Sequence, residues 1–148
     1  MKAISLWQPW ASAVAIGAKN YETRSWRTSF RGTLAIHAAK KRSPAGKVFF
    51  TQHHAVFARA GIHYFEDLSF GCVLLTCQLG DCVATEVLRG SISDTELAFG
   101  DYSDGRFAWR LVDVQRLATP VPAQGAQGFW RWDANALRSS ASRQGRGM

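Results

Sequence analysis

Three ionisable residues, Lys19, Glu22 and Arg24, lie close together near the start of the sequence. Glu22 and Arg24 alternate with the β-tolerant residues Tyr21 and Thr23, so a strand here would present both charged side chains on one face. Lys19 comes just before this strand, at a corner from which its long side chain can reach the same face. A lysine beside a carboxylate can transfer protons, and lysine and arginine can bind phosphate. The spacing therefore predicts a small charged site.

The structural alternative is an ion pair at the surface, which contributes only about 0 to 1 kcal/mol to stability. If the charges form a functional site, replacing Lys19 or Glu22 by alanine should abolish the response to a ligand and change stability by no more than about 1 kcal/mol, whereas loss of folding in both variants would support a structural ion pair. Two tryptophans, Trp10 and Trp26, flank the charges. Charged groups beside aromatic walls tend to have shifted pKa values, and such groups concentrate at functional sites. Both interpretations stay open at this point.

The element that must position these charges is a short apolar helix before them. Pro9 suits its first turn, because the fixed φ of proline is already helical and its missing N–H would have no partner there. Between Trp10 and Ile16 only Ser12 is polar, which predicts a largely buried helix. Gly17 can supply the left-handed residue that ends it. Lys19 should therefore lie directly after a helix end.

The segment Gly17–Arg24 fits the G-x-K-x-x-E-x-R signature of the ASCH domain, a module similar to PUA domains. Other segments also look like that domain: Ser5–Ser12 before the signature, Arg31–Ala39 after it, and a Gly-x-Trp-like segment at Gly128–Trp130. The loop Phe99–Tyr102 resembles bacterial and phage members. Because these segments occur in order over nearly the whole chain, the sequence is identified as a member of this family.

The resemblance implies an α+β fold, a mostly β PUA-like barrel with about two helices packed on it. We expect one domain over residues 1–137 and a disordered tail rich in Arg, Ser and Gly over residues 138–148. A helix should open at Ser43-Pro44 and end at Gly61, and the apolar run in Gly71–Leu88 is typical of a barrel strand. A long loop at Arg89–Arg106 and a strand at Phe107–Leu117 follow. Pro120 and Pro122 indicate an edge strand or a wrapping arm.

Family resemblance further implies that a nucleic acid or a nucleoside, RNA above all, enters a cleft around the signature. A tryptophan would stack on a base and basic side chains would contact phosphate or base edges. The predicted ligand-binding residues are Lys19, Arg24, Trp26, Arg27, Arg31, His37 and Lys40. For His37 the alternative is a core histidine with satisfied nitrogens, and for either tryptophan it is core packing.

The alternative function is enzymatic. Some small ASCH proteins similar to this one are amidohydrolases that act on N4-acetylcytidine with a lysine, a threonine and a glutamate. Lys19 falls on the family lysine, but Glu22 occupies the place of the threonine, and Thr23 should point to the other strand face. Lys19 and Glu22 would then activate a water, and Glu96 in the loop would protonate the leaving amine. Ribonuclease activity has also been attached to the family, but this sequence shows no His pair or metal cluster that would support it independently.

Composition limits the remaining classes. The 148 residues carry a formal charge of +7, which favours polyanionic partners. Without the three tail arginines about +4 remains. Neither a signal peptide nor an apolar run long enough for a membrane span is present, so we expect a cytoplasmic protein without membrane contact. The spacing of Cys72, Cys77 and Cys82 fits no metal pattern and favours reduced thiols. We expect neither a metal nor a cofactor, and the sequence identifies no protein partner.

Overall fold

The computed structural model describes residues 1–133 and residue 135. The strands are β1 (Lys2–Leu6), β2 (Tyr21–Arg24), β3 (Gly32–Ala38), β4 (Cys72–Ala84), β5 (Phe107–Pro122) and β6 (Trp130–Arg131). The helices are α1 (Trp10–Ala15), α2 (Pro44–Gln52), α3 (His54–Ala58), α4 (Thr85–Leu88) and α5 (Asp94–Ala98), with a 3-10 turn at Phe65–Asp67. The predicted tail, 138–148, lies outside the described residues. Within them, no helix is both long and apolar enough to span a membrane.

Within the described residues, six strands form one sheet in the order β2-β5-β4-β3-β1-β6. β1 and β3 are parallel, whereas the other neighbouring strands are antiparallel. The short strands β2 and β6 form the two edges and do not pair with each other, so the sheet is not closed. The predicted α+β class is confirmed, with one correction: where we expected a barrel, the described strands form an open sheet.

The apolar run of β4 explains why the sequence favoured a barrel. Leu75 and Cys77 belong to the main core under α1, whereas Val73 packs with Val121 and Trp132 in a separate buried cluster. Both faces of the strand are therefore covered. A continuous apolar run is typical of any strand that is buried on both faces, so it does not distinguish a closed barrel from a covered open sheet.

The helix before the charged residues begins one residue later than predicted, with Pro9 in the N-cap position and a cis peptide bond between Gln8 and Pro9. The Gln8 side chain caps this first turn: its Oε1 accepts a hydrogen bond from the Ser12 N–H at 3.0 Å, and its Nε2 donates to the Ser12 Oγ at 2.8 Å. Gly17 has φ +83°, so the predicted left-handed helix end is confirmed. Lys19 consequently follows the helix end directly.

The helix predicted over Ser43–Gly61 starts as expected, since the Ser43 Oγ accepts a hydrogen bond from the Gly46 N–H at 3.2 Å. It divides into α2 and α3 at His53. The end of the predicted Gly71–Leu88 strand is α4, and the predicted loop after it contains α5. Such short helices lack the several turns over which a helical pattern becomes visible in sequence.

Pro120 and Pro122 lie inside β5 and not in a separate arm. In the described sheet β2 pairs with β5 only over Phe107–Arg110, so the second half of β5 has no strand on that side. Proline is tolerated there because no ladder hydrogen bond is needed from its missing N–H. The expectation of an edge position thus holds for half of a long strand.

Close packing of α2 on the segment before α1 brings an aromatic side chain to the charged residues. A Cβ atom on Gly46 would overlap the Gln8 carbonyl oxygen, so only glycine permits this approach. One turn later, Phe49 packs on the ring of Trp10, with 5.0 Å between the ring centroids. Phe49 also contacts Phe99, which follows α5, at 4.8 Å. These rings close one side of the cleft described next.

Candidate functional site

A cleft of about 540 Å³ opens between the end of β1, the start of α1, β2 and the loop after α5. Its wall includes the whole charged part of the signature, Lys19, Glu22 and Arg24. The other lining residues are Ser5, Leu6, Trp7, Trp10, Thr23, Phe49, Ala98, Phe99, Gly100, Asp101 and Arg106. Aromatic rings and charges of both signs thus share one concave site, which is typical of a binding pocket for a small polar group.

The three signature charges form one connected network. The Lys19 Nζ donates a hydrogen bond to the Phe99 carbonyl oxygen at 2.8 Å and lies 3.5 Å from the Glu22 Oε1. The Glu22 Oε2 accepts from the Arg24 Nε at 3.1 Å and pairs with its Nη2 at 3.0 Å. The Arg24 Nη2 also donates to the Ser5 carbonyl oxygen at 3.1 Å. The predicted alternation of β2 therefore places Glu22 and Arg24 side by side, with Lys19 in reach.

Burial excludes a surface position for the pair of Lys19 and Glu22. Only 2% of Lys19 and 9% of Glu22 is exposed, so the pair is not the surface ion pair that the sequence left open. Removing one member of a buried pair leaves a desolvated charge without its partner, which costs about 3 to 5 kcal/mol. The expected limit of about 1 kcal/mol for alanine substitutions rested on the wrong environment.

Trp7 is the residue that the sequence analysis missed. It follows β1 directly, 46% of its surface is exposed, and it lines the cleft beside the signature charges. Trp10 is half-buried against Phe49, in agreement with a packing role. A signal for Trp7 was present in the sequence: a large aromatic residue that lies between a strand and a proline-initiated helix belongs to neither core pattern.

A second, larger groove of about 1230 Å³ adjoins the cleft, because Ser5, Trp7 and Arg24 line both. Three predicted ligand residues, Trp26, His37 and Lys40, line this groove and not the cleft. Trp26 is held edge-on against Trp109, with 4.6 Å between ring centroids. The structure thus separates the predicted residues into two neighbouring compartments.

Two predicted arginines line neither compartment. The Arg27 guanidinium lies 5.1 Å from the centre of the Phe107 ring. Arg31 donates to the carbonyl oxygens of Thr28 and Phe30 at 3.0 and 2.8 Å and so fixes its own turn. Both side chains are exposed and lie outside the cleft and the groove. Their predicted contacts therefore require a ligand that extends beyond these two compartments.

Glu96 does not face the cleft. Its carboxylate accepts hydrogen bonds from the backbone N–H groups of Asn20 and Tyr21 and from the Asn20 Nδ2, at 2.9 to 3.0 Å. It lines a different cavity, together with Asn20 and Tyr21. The structure therefore does not bring Glu96 to Lys19 and Glu22 as the predicted acid, since its oxygens join α5 to the start of β2.

Thr23 contributes to the cleft wall although the alternation of β2 suggested that it would point away. Its Oγ1 accepts a hydrogen bond from the Asp101 N–H at 3.0 Å, and its carbonyl oxygen accepts from the Arg106 Nη2 at 3.2 Å. The loop after α5 folds over this edge strand and draws Thr23 into the lining.

Within the described residues, no group of three or more His, Cys, Asp or Glu side chains could hold a metal ion.

His37 is 2% exposed, and both of its ring nitrogens have partners. Its Nε2 lies 2.8 Å from the Ala123 carbonyl oxygen and therefore carries the proton, because that oxygen can only accept. Its Nδ1 then accepts from the Ser5 hydroxyl at 2.9 Å, and the Ser5 Oγ accepts from the Trp130 Nε1 at 3.1 Å. Burial lowers the pKa of His37, and the hydrogen bond to Ala123 opposes that shift only in part.

The architecture defines an α+β domain with an open mixed sheet and a charged, aromatic cleft beside its parallel strand pair. A family model for the ASCH domain matches residues 4–121. The chain therefore belongs to the ASCH domain family, as its signature predicted.

Relatives and solved structures agree with this assignment. Activating signal cointegrator 1 of Homo sapiens is 30% identical over 132 residues, and that of Mus musculus is 29% identical over 132 residues. Each alignment covers 88% of this chain but 22% of the relative, so the chain spans about a fifth of their length. The crystal structure of ASCH from Zymomonas mobilis superposes with a TM-score of 0.56 at 16% identity, covering 95% of this chain and 93% of that one. A single-residue variant of that Zymomonas mobilis protein superposes with a TM-score of 0.54 at 18% identity, covering 96% of this chain and 94% of that chain.

Replacing Lys19 by alanine should lower the free energy of unfolding by about 3 kcal/mol, because Glu22 loses one of its two cationic partners in a buried setting. The matched control is Lys47→Ala, which removes an exposed pair with Glu66 whose side chains are 65% and 62% exposed. Urea unfolding measures both, and we expect no resolvable change for the control. Equal changes in the two variants would contradict the assignment of Lys19 to a buried pair.

Stability should fall as the pH decreases below about 6.5. The reason is that the pKa of His37 is lowered in the folded state, so the unfolded chain takes up a proton in this range while the folded chain does not. The free energy of unfolding, measured between pH 5 and 7, should lose part of this slope in His37→Gln. The exposed His63 provides the control variant His63→Gln, which should keep the slope. An identical slope in all three proteins would show that His37 does not titrate differently on folding.

Proposed function

We propose that this ASCH domain binds a nucleotide unit of single-stranded RNA in the cleft around Lys19, Glu22 and Arg24. The observation that carries the proposal is the exposed indole of Trp7 at the edge of a pocket that also holds the three signature charges. An aromatic face with donors and an acceptor beside it matches what an unstacked base requires. A free nucleoside is the smallest ligand of this class.

Each side chain has a distinct role in this proposal. Trp7 provides the stacking face. Glu22 can accept a hydrogen bond from an exocyclic amine of the base, because a carboxylate accepts through several lone pairs. The Lys19 ammonium has three N–H bonds, and the Phe99 carbonyl and Glu22 use two of them, so one is left for a ligand atom. Arg24 lies where the cleft meets the larger groove and is placed to contact a phosphate.

The charge of the chain supports a polyanionic ligand. The formal charge of +7 attracts nucleic acid over a distance, and the exposed Lys40 and Lys41 add positive charge next to the cleft. Arg27 and Arg31 would take part only where an RNA extends beyond the two compartments. The cytoplasmic location expected from the sequence belongs to the same proposal, and DNA is the alternative polymer.

Replacing Trp7 by alanine should weaken binding of a labelled single-stranded RNA by about 5- to 150-fold, the loss of one base stacked on an aromatic ring. Trp7→Phe should retain most of the affinity, since it keeps an aromatic face. Fluorescence anisotropy at constant salt measures this. Tyr64, which is 67% exposed and lines neither compartment, provides the control variant Tyr64→Ala. Equal affinity of Trp7→Ala and the native protein would refute the stacking role.

The second candidate function is deacylation of N4-acetylcytidine. It is favoured because Lys19, Glu22 and Thr23 all line the one cleft. In such a reaction Glu22 accepts a proton from a water that attacks the acetyl carbon. The C–N bond breaks, and the leaving amine of cytosine takes a proton from Lys19, which leaves acetate and cytidine. Lys19 takes the role predicted for Glu96, whose carboxylate lies elsewhere.

If this reaction occurs, the purified protein should release cytidine and acetate from N4-acetylcytidine, as followed by chromatography. Glu22→Gln keeps the shape of the side chain but loses its basicity, so it should lose the activity while circular dichroism shows a native fold. Tyr64→Ala should remain fully active. Absence of release by the folded native protein would exclude the reaction for this substrate and leave binding as the function.

A further inference from the structure

The larger groove next to the cleft is bordered by a strap, residues 123–128, in which the tripeptide Ala-Gln-Gly occurs twice in succession. The repeat places two glutamines, Gln124 and Gln127, along one wall of the groove. Within the described part of the chain, neither side-chain amide has a hydrogen-bond partner. Two free amides beside an exposed tryptophan can form hydrogen bonds to the edge of a base.

The backbone of the strap is fixed although its glutamine side chains are free. The Ala123 N–H donates to the Gly71 carbonyl oxygen at 3.1 Å, and the Ala123 carbonyl accepts from His37 at 2.8 Å. Gly125 lies directly on the Ser5–His37 pair, where an added Cβ would be 2.7 Å from the His37 Nδ1. The backbone of the strap is thus anchored at Ala123 and Gly125, and the two exposed glutamine side chains remain available to a ligand.

The charge of the groove has a single sign. Arg24, Lys40 and Lys41 line it, and among the described residues no Asp or Glu does. The cleft differs, since Glu22 and Asp101 contribute negative charge there. A wall with basic groups only suits phosphate, whereas a wall of mixed charge suits the donors and acceptors of a base.

The two compartments share Trp7 and Arg24 in their walls, so a ligand that occupies both compartments contacts these two side chains. From these features we propose that the groove is a second nucleotide subsite, which makes this domain a reader of single-stranded RNA of at least two nucleotides. This inference rests on the proposed binding function of the cleft. One base occupies the cleft beside Glu22 and stacks on Trp7, and Arg24 contacts the phosphate that connects the two nucleotides. The next base lies along Gln124 and Gln127, with its phosphate at Lys40 and Lys41.

The test compares RNA ligands of one to four nucleotides, as competitors of a labelled single-stranded RNA, with the full chain. Affinity should rise at least about fivefold from a nucleoside monophosphate to a dinucleotide, because a second base is bound. The double variant Gln124→Ala/Gln127→Ala should lose this gain and keep the affinity for the monophosphate. Gln52, which is exposed on α2 and lines neither compartment, provides the control variant Gln52→Ala.

Salt dependence separates phosphate contacts from structural effects. In Lys40→Ala/Lys41→Ala, the slope of log affinity against log salt for a tetranucleotide should become shallower by about 0.7 for each phosphate contact that is lost. Lys47→Ala, away from the groove, should keep the native slope. These lysines are exposed, so the variants are expected to fold as the native protein does.

The outcomes distinguish the two proposals. Equal affinity for monophosphate and dinucleotide would overturn the second subsite and leave the cleft as a nucleoside site. A length gain that survives the double glutamine variant would overturn the role of the strap. If the folded protein binds none of these ligands, both proposals fail.

Discussion

A buried lysine has to be given partners, and this requirement fixes the geometry around the cleft. Removing an ammonium group from water costs several kcal/mol, which hydrogen bonds and an opposite charge must offset. The Lys19 ammonium donates a hydrogen bond to the Phe99 carbonyl oxygen in the loop after α5 and forms an ion pair with Glu22 of β2. Arg24 extends the network to the Ser5 carbonyl oxygen at the end of β1. Three segments far apart in sequence are thereby brought to one point.

A second buried carboxylate stabilises the same arrangement from the other side. Glu96 in α5 accepts hydrogen bonds from the backbone of Asn20 and Tyr21, just where the chain passes from α1 into β2. Phe99 follows α5, and its carbonyl oxygen accepts a hydrogen bond from the Lys19 ammonium. Helix α5 is thus joined to this corner through two independent polar contacts. Its position depends on the electrostatics of two buried groups as well as on apolar packing.

Much of the charged site could be predicted from local sequence, because alternation along a strand is a local property. The spacing of Glu22 and Arg24 sufficed to place them on one face, and Gly17 marked the helix end that brings Lys19 beside them. The burial of Lys19 could not be predicted, since it depends on the loop around Phe99, far away in sequence. Thr23 entered the cleft wall for the same reason, because the contact from Asp101 is non-local.

Other features of the fold were beyond sequence reasoning for different physical reasons. Closure of the sheet depends on whether its two edge strands meet, and the apolar run of β4 contains no information about that. Glu96 looked like a free loop acid because its partners are backbone N–H groups, which every residue has. The second groove depends on the strap that covers His37, and residues 123–128 have a composition typical of an ordinary polar loop.

The exposure of Trp7 has an optical consequence. The chain has six tryptophans, all within the described residues, and Trp7 alone is largely exposed, at 46%. An indole in contact with water emits at longer wavelength than one inside a protein and is quenched more readily by a small dissolved molecule such as acrylamide. A ligand that covers Trp7 would shift its emission and shield it from that quencher, while Trp109 in the core would be unaffected. The domain thus contains its own spectroscopic reporter at the junction of its two compartments.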